Sequence, residues 1–193
     1  MKVESQNQLR FSERVGYGLG DTASNFFFQT FNIFLLYYYT DVFGISPAAV
    51  GTMFFVTKLW DAVNDPLMGI LADRTQTRFG KFRPYILWMA IPYAAMGYLM
   101  FAGPEFDDTG RLIYAWVTYS LMMMLYTAIN VPYSALMGVM TPLSSERTIL
   151  SSFRFVGAFG GTLLISMLVR PMVQYFGIED EADGFRTTMA IFA

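Results

Sequence analysis

The sequence contains no cysteine and no histidine. The first absence removes disulfides and thiol chemistry. The second removes the commonest metal ligand and the usual proton relay of neutral pH. Charge is also scarce, at 15% of residues, where a soluble globular chain carries about a quarter. The net charge of −2 offers no basic field for nucleic acid. There is no HExxH and no GxSxG. The usual nucleophile–base pairs are therefore missing, and an intramembrane enzyme ranks last among the functional readings. Met1 to Arg14 are polar and lack a short apolar core with a cleavage site, so no cleavable signal peptide is expected.

What is abundant is apolar surface. Of 193 residues, 54% are hydrophobic and 18% aromatic, with a mean hydropathy of +0.39. The length would suit one soluble domain, but the charges are too few to wet its surface. Lipid is the natural solvent, and an all-α integral membrane fold is expected. A spanning helix needs about 20 mostly apolar residues. Five such stretches run from Val15 to Tyr39, Ala48 to Leu71, Phe82 to Ala102, Leu112 to Met140 and Ile149 to Phe176. A sixth begins at Gly184.

Turn residues separate these stretches: Gly44, Ser46 and Pro47, then Gly103, Pro104 and Gly110. Ser144 and Ser145 ahead of Glu146 predict the N-cap of the fifth helix. The organisation expected is a cytoplasmic segment over 1–14 and a transmembrane bundle over 15–193. The final stretch to Ala193 covers roughly 15 Å at helical rise, half a membrane. A terminus there leaves unpaired carbonyls in lipid. The expectation is that the natural protein continues into a C-terminal half.

Lys and Arg set the orientation. Lys2, Arg10 and Arg14 precede the first helix. Arg74, Arg78, Lys81 and Arg83 lie between the second and third, and Arg147 between the fourth and fifth. The opposite loops carry Asp41, then Glu105, Asp107 and Asp108, then Glu179, Asp180, Glu181 and Asp183. The basic side, with the N-terminus, is expected in the cytoplasm.

Ionisable residues inside a span are costly and usually functional. Asp21, Lys58, Asp61, Asp65 and Arg154 fall at membrane depth. Lys58, Asp61 and Asp65, spaced by three and four, share one helix face. Two carboxylates one turn apart offer an oxygen cage to a small cation such as Na⁺, or hold a proton between them. The alternative is a buried ion-pair network in which Lys58 neutralises Asp61 and Arg154 neutralises Asp65. Neutral polar residues occur at similar depth: Asn25, Gln29 and Asn32 on the first helix, Tyr126, Thr127, Asn130 and Ser134 on the fourth. Amides and hydroxyls beside aromatic rings are what a sugar site needs. The plainer reading of each alone is interhelical hydrogen bonding. Gly16/Gly20 and Gly157/Gly161 read as helix-packing GxxxG pairs. Phe26 to Phe28 and Tyr37 to Tyr39 read as lipid or interface contacts, and Pro132 as a kink.

The run Lys58-Leu-Trp-Asp-Ala-Val-Asn-Asp-Pro-Leu-Met-Gly69 is the strongest motif. Asp73-Arg74 and Arg78-Phe-Gly-Lys-Phe-Arg-Pro84 come after it, with Tyr17-Gly-Leu-Gly20 and Tyr38-Tyr-Thr-Asp41 earlier. In this order and spacing the chain resembles the glycoside–pentoside–hexuronide:cation symporters of the major facilitator superfamily. The resemblance implies two six-helix halves with a central site and alternating access. It implies cation-site roles for Asp61 and Asp65, with Asn64 and Thr127 associated. It implies sugar-site roles for Arg154 and Tyr126, and for the positions held by Asn25, Asn130 and Ser134. Lys58 stands where the melibiose carrier has another basic residue. Melibiose-type carriers have acids where this chain has Asn25 and Asn130, a lysine at Ser24 and a tryptophan at Ser134. A pentoside, xyloside or glucuronide is thus expected before a galactoside. Asp73, Arg74, Arg78, Lys81 and Arg83 correspond to a loop whose charge pairs hold one conformation closed; plain positive-inside anchoring is the other reading.

The function expected is cation-coupled symport of a glycoside, pentoside or hexuronide, in the inner membrane. The coupling ion would be Na⁺, H⁺ or Li⁺. No other cofactor and no nucleic-acid partner is expected; the partners are sugar, cation, lipid bilayer and the remaining half. The alternatives are a transporter-fold sensor and a truncated half that does not transport.

Overall fold

The computed structural model describes residues 9–193, so Lys2 and most of the expected segment 1–14 lie outside the described residues. Helices account for nearly all the rest. The first, α1, is α-helical over Phe11–Thr30 and continues through two π-helical turns, Phe31–Leu35 and Tyr38–Val42. Then come α2 (Pro47–Arg74), α3 (Arg83–Leu99), α4 (Asp108–Met140), α5 (Ser144–Phe176) and α6 (Glu181–Phe192). All five expected spans and the sixth start are present as helices. Pro66, Pro92, Pro132 and Pro171 lie inside α2, α3, α4 and α5, each of which remains helical on both sides of its proline.

Capping follows local chemistry. The Ser46 hydroxyl accepts from the Ala49 amide at 3.4 Å, Asp107 from Gly110 at 3.1 Å, and Asp180 from Ala182 at 2.9 Å. The fifth helix departs from expectation. It starts after Leu143 with no side-chain cap. Glu146 is drawn away to Arg14, whose Nη2 reaches both carboxylate oxygens at 3.0 Å. A buried acid is stabilised more by a full positive charge than by a helix-end amide.

Among the described residues, α4 and α5 are the two helices long and apolar enough to cross a membrane on composition alone. The others fall short for visible reasons. Charges and amides sit within α1 and α2, α3 has 17 residues, and α6 has 12. Large apolar side chains nonetheless face outward, among them Leu59, Val63 and Leu67 on α2 and Phe155, Phe159, Leu163 and Met167 on α5. Water does not support such a surface; lipid does.

α1 packs on α5, α5 on α6, α6 on α3, α3 on α4 and α4 on α2. The α1–α5 crossing rests on glycine. A Cβ on Gly157 would meet the Gly18 carbonyl oxygen at 2.5 Å and the Thr22 hydroxyl at 2.7 Å. One on Gly18 would meet the Phe153 carbonyl oxygen at 2.9 Å. The expected Gly157/Gly161 pair is therefore at the crossing, but its partner is Gly18. Gly16 faces open space, and Gly20 faces the Tyr133 ring.

The aromatic runs also differ from expectation. Phe27, Tyr38 and Tyr39 are buried core, not lipid contacts. The Tyr38 hydroxyl donates to the Phe101 carbonyl at 3.1 Å, and its ring packs against Phe101 and Phe185. The π-turns bring Tyr38 and Tyr39 inward, because each extra residue per turn rotates the next stretch of helix about its axis.

The crossing gives a test. Gly157→Ala should lower the thermal unfolding midpoint in detergent, by a loss of about 1–3 kcal/mol. Gly16→Ala should leave it unchanged or raise it slightly. Equal midpoints for the two variants would show that Gly157 does not set the crossing.

Candidate functional site

Two cavities open in the middle of the bundle, on either side of α4. The first is built on α2. Helical spacing puts Lys58, Asp61 and Asp65 on one face, and that face meets Thr127 of α4. Lys58 Nζ lies 3.3 Å from Asp61 Oδ2. The buried Thr127 hydroxyl donates to Asp65 Oδ1 at 2.8 Å. The other Asp61 oxygen, Oδ1, is buried with no hydrogen-bond partner among the described residues. The cavity is about 390 Å³ and is also lined by Tyr126, Asn130 and Ser134.

Carboxylate and hydroxyl oxygens are the donors a hard cation takes. A buried carboxylate oxygen without a donor is an acceptor waiting for a positive charge or a proton. Among the described residues, no group of three or more acidic, histidine or cysteine side chains comes together. Any cation held here draws on two carboxylates and neutral oxygens. Asn64, expected in this set, does not line the cavity.

The second cavity, about 340 Å³, lies between α1, α4 and α5. Its lining includes Asn25, Tyr126, Asn130 and Arg154, as expected, together with Asp21 and Ser151. Arg154 is the hub. Its Nη2 and Nε donate to Asp21 Oδ1 at 2.8 and 3.1 Å, and its Nη1 donates to the Ser134 hydroxyl at 3.1 Å. Ser134 in turn donates to Asn130 Oδ1 at 3.3 Å. Asn25 Nδ2 donates to Asp21 Oδ2 at 3.1 Å. The guanidinium also lies 5.2 Å from the Tyr133 ring centroid, within cation–π range. Tyr126 is held flat against Phe28, with centroids 4.3 Å apart and planes at 9°. It presents a fixed ring to both cavities.

The partner of Arg154 is therefore Asp21 and not Asp65, which the ion-pair alternative expected. Asp65 takes one hydrogen bond from Thr127 across α4 and is otherwise exposed into the first cavity. Lys58 does pair with Asp61, as that alternative had it. Ser134, expected at the sugar site, lines the first cavity and reaches the second through its bond to Arg154. Sequence reasoning placed Asp21 at membrane depth but gave it no role. Its signal was being the one acid in the first span.

The loop from α2 to α3 is as basic as expected, with Asp73 and Arg74 ending α2 and Arg83 opening α3. The expected charge pairs do not form in this structure. Among the described residues, none of Asp73, Arg74, Arg78, Lys81 and Arg83 has an ion-pair partner. The Arg78 guanidinium sits 4.6 Å over the Phe79 ring instead.

Comparison with known proteins identifies the family. The family model described as MFS/sugar transport protein matches residues 16–193. YagG of Escherichia coli K12, which carries the provisional name of a glycoside/cation symporter, is 48% identical over 95% of this chain and 40% of its own. The inner membrane symporter YicJ of the same organism is 42% identical over 96% of this chain and 40% of its own. The isoprimeverose transporter of Lactiplantibacillus pentosus is 43% identical over 91% of this chain and 36% of its own. The chain thus spans about two-fifths of the length of these membrane relatives. It belongs to the MFS/sugar transport protein family and, within it, to the glycoside–pentoside–hexuronide:cation symporters whose motifs it carries.

Proposed function

We propose that this chain supplies the cation site and one wall of the sugar site in a secondary transporter that couples glycoside, pentoside or hexuronide uptake to a cation. The observation that carries the reading is the shared wall. Tyr126 and Asn130 line both cavities, and Thr127 between them holds Asp65.

The cation binds at Asp61 and Asp65 with the Thr127 hydroxyl, displacing or loosening Lys58. Asn64 acts from the next turn face of α2. The sugar binds against Tyr126, Asn25, Asn130 and Arg154, with Ser134 and Asp21 fixing the arginine. An occupant of either cavity pulls on the same turn of α4, so each stabilises the arrangement the other needs. That is a coupling free energy, and it acts equally in both directions. Alternating access uses the rest of the transporter, which the longer relatives contain. The basic end of the bundle lies in the cytoplasm, and the loop from Asp73 to Arg83 forms its charge pairs in a conformation other than this one. A pentoside, xyloside or glucuronide fits the amides at Asn25 and Asn130. Relatives named as an isoprimeverose transporter and a glucuronide carrier homolog support that class.

The experiment is uptake of labelled glycosides into vesicles under an imposed sodium or proton gradient, using the longest chain the gene encodes. Gradient-driven accumulation is expected, and Asp65→Asn should reduce it by about tenfold or more, equivalent to at least 1.4 kcal/mol. Accumulation by Asp65→Asn equal to wild type would refute the cation assignment. Sugar binding without flux would favour a sensor.

Asp21→Asn tests the second cavity. The amide is isosteric with the carboxylate but leaves Arg154 without its counter-charge, so the variant is first checked for a folded bundle by its thermal unfolding midpoint. Sugar KM should rise by about tenfold while the dependence on cation concentration, measured at saturating sugar, stays put. A change in cation dependence with sugar KM unmoved would reverse the assignment of the two cavities.

A further inference from the structure

At the end of the bundle opposite the basic loop, α1, α5 and α6 enclose a third cavity of about 230 Å³. Phe34, Tyr37, Arg170, Gln174, Glu181 and Phe185 line it. Phe185 is buried and forms its floor. Phe34 and Tyr37 stand at 57° and 48° to it, with centroids 6.3 and 6.4 Å away. The Tyr37 hydroxyl donates to Glu181 Oε2 at 2.9 Å, which fixes both groups at the rim. Arg170 forms no ion pair or side-chain hydrogen bond among the described residues.

This cavity is separate from the two central ones. Asn25 and Tyr37 are twelve residues apart on α1, roughly 18 Å at helical rise. Arg154 and Arg170 are sixteen apart on α5, roughly 24 Å. No single sugar ring touches both sites.

We propose that the third cavity is a peripheral binding site for one neutral glycosyl ring. The chemistry suits that class. Arg170 and the Gln174 amide donate, the Glu181 carboxylate and the amide oxygen accept, and both needs are met by ring hydroxyls. Phe34, Tyr37 and Phe185 offer apolar faces to the C–H side of a pyranose. The guanidinium and carboxylate balance one another, so the site selects no net charge. The volume lies below the range of about 300–1,000 Å³ that suits drug-sized ligands, and it suits one ring. The assignment rests on the reading of the chain as part of a glycoside transporter. For a neutral glycoside or pentoside substrate, the site would capture it at the mouth opposite the basic loop, before transfer to the central cavity.

Hydrogen exchange on the longest chain the gene encodes, purified in lipid nanodiscs, tests it, with methyl β-D-xylopyranoside and methyl β-D-glucopyranoside as probes. Asn25→Ala disables the central cavity, and Asn130→Ala provides a second background should the first fold poorly. Sugar should slow exchange across 181–186 in either background. Gln174→Leu should weaken that protection by about tenfold in sugar concentration while protection around 150–158 persists in the chain with Asn25 and Asn130 intact. Protection confined to the central helices overturns the peripheral site and leaves the transporter reading standing. Protection at 181–186 that Gln174→Leu leaves unmoved also overturns it. Absence of protection anywhere with either glycoside counts against both readings.

Discussion

The Asp21–Arg154 pair is the interaction on which the rest depends. An arginine in the middle of a lipid-embedded bundle is tolerated only against a counter-charge, and the Asp21 carboxylate, 2.8 Å away on α1, supplies it. The pair lies one turn from the point where Gly18 and Gly157 bring the two backbones together. Glycine lets the helices approach, and the approach puts the carboxylate within reach of the guanidinium. At the basic end of the same two helices, Arg14 and the buried Glu146 repeat the arrangement. The two cross-helix ion pairs and the glycine contact together define where α5 sits against α1. That placement in turn decides which way Arg154 points, toward a cavity with Asn25, Tyr126 and Asn130 on its other walls.

Much of this architecture was legible in the sequence because lipid simplifies the code. Apolar length gives the helices, and the scarce charges must then be explained one by one. The α2 face of Lys58, Asp61 and Asp65 comes from spacing alone, and Asp65 found its Thr127 partner across the bundle. What spacing cannot supply is the partner of a residue on another helix. Arg154 had two acids in range of argument, Asp21 and Asp65, and only the rotation of α1 against α5 selects between them. The same limit hid Gly18. Two GxxxG patterns were visible, yet the crossing used one of them and a glycine lying between the members of the other.

The aromatic end of α1 was illegible for a different reason. A run such as Tyr37-Tyr38-Tyr39 read with ordinary helical period gives no interior face. The two π-turns shift the phase, so that Phe31, Leu35, Tyr38 and Tyr39 all become buried while Tyr37 remains at the rim with Glu181. The wide turns cost backbone hydrogen-bond geometry, which large rings packed against Phe101 and Phe185 offset. The sequence carries no local mark of a π-turn, since its cause is tertiary.

The position of α4 gives the proposed transport its means of joining two ligands in one short stretch. Residues 126 and 130 are one turn apart and share a face, and α4 passes between α2 on one side and the α1–α5 pair on the other. Thr127 is rotated by about 100° from Tyr126, which turns it toward α2 and Asp65. A shift of this turn by a fraction of an ångström therefore changes the Thr127–Asp65 bond and the Asn130–Ser134–Arg154 chain together. Packed interiors resist gradual deformation and prefer discrete arrangements. A ligand in one cavity would thus bias a choice that the other cavity shares, with no need for a longer path between them. Pro132 sits in the next turn of α4, where it removes one backbone donor and leaves the segment above it less tightly tied to the segment below.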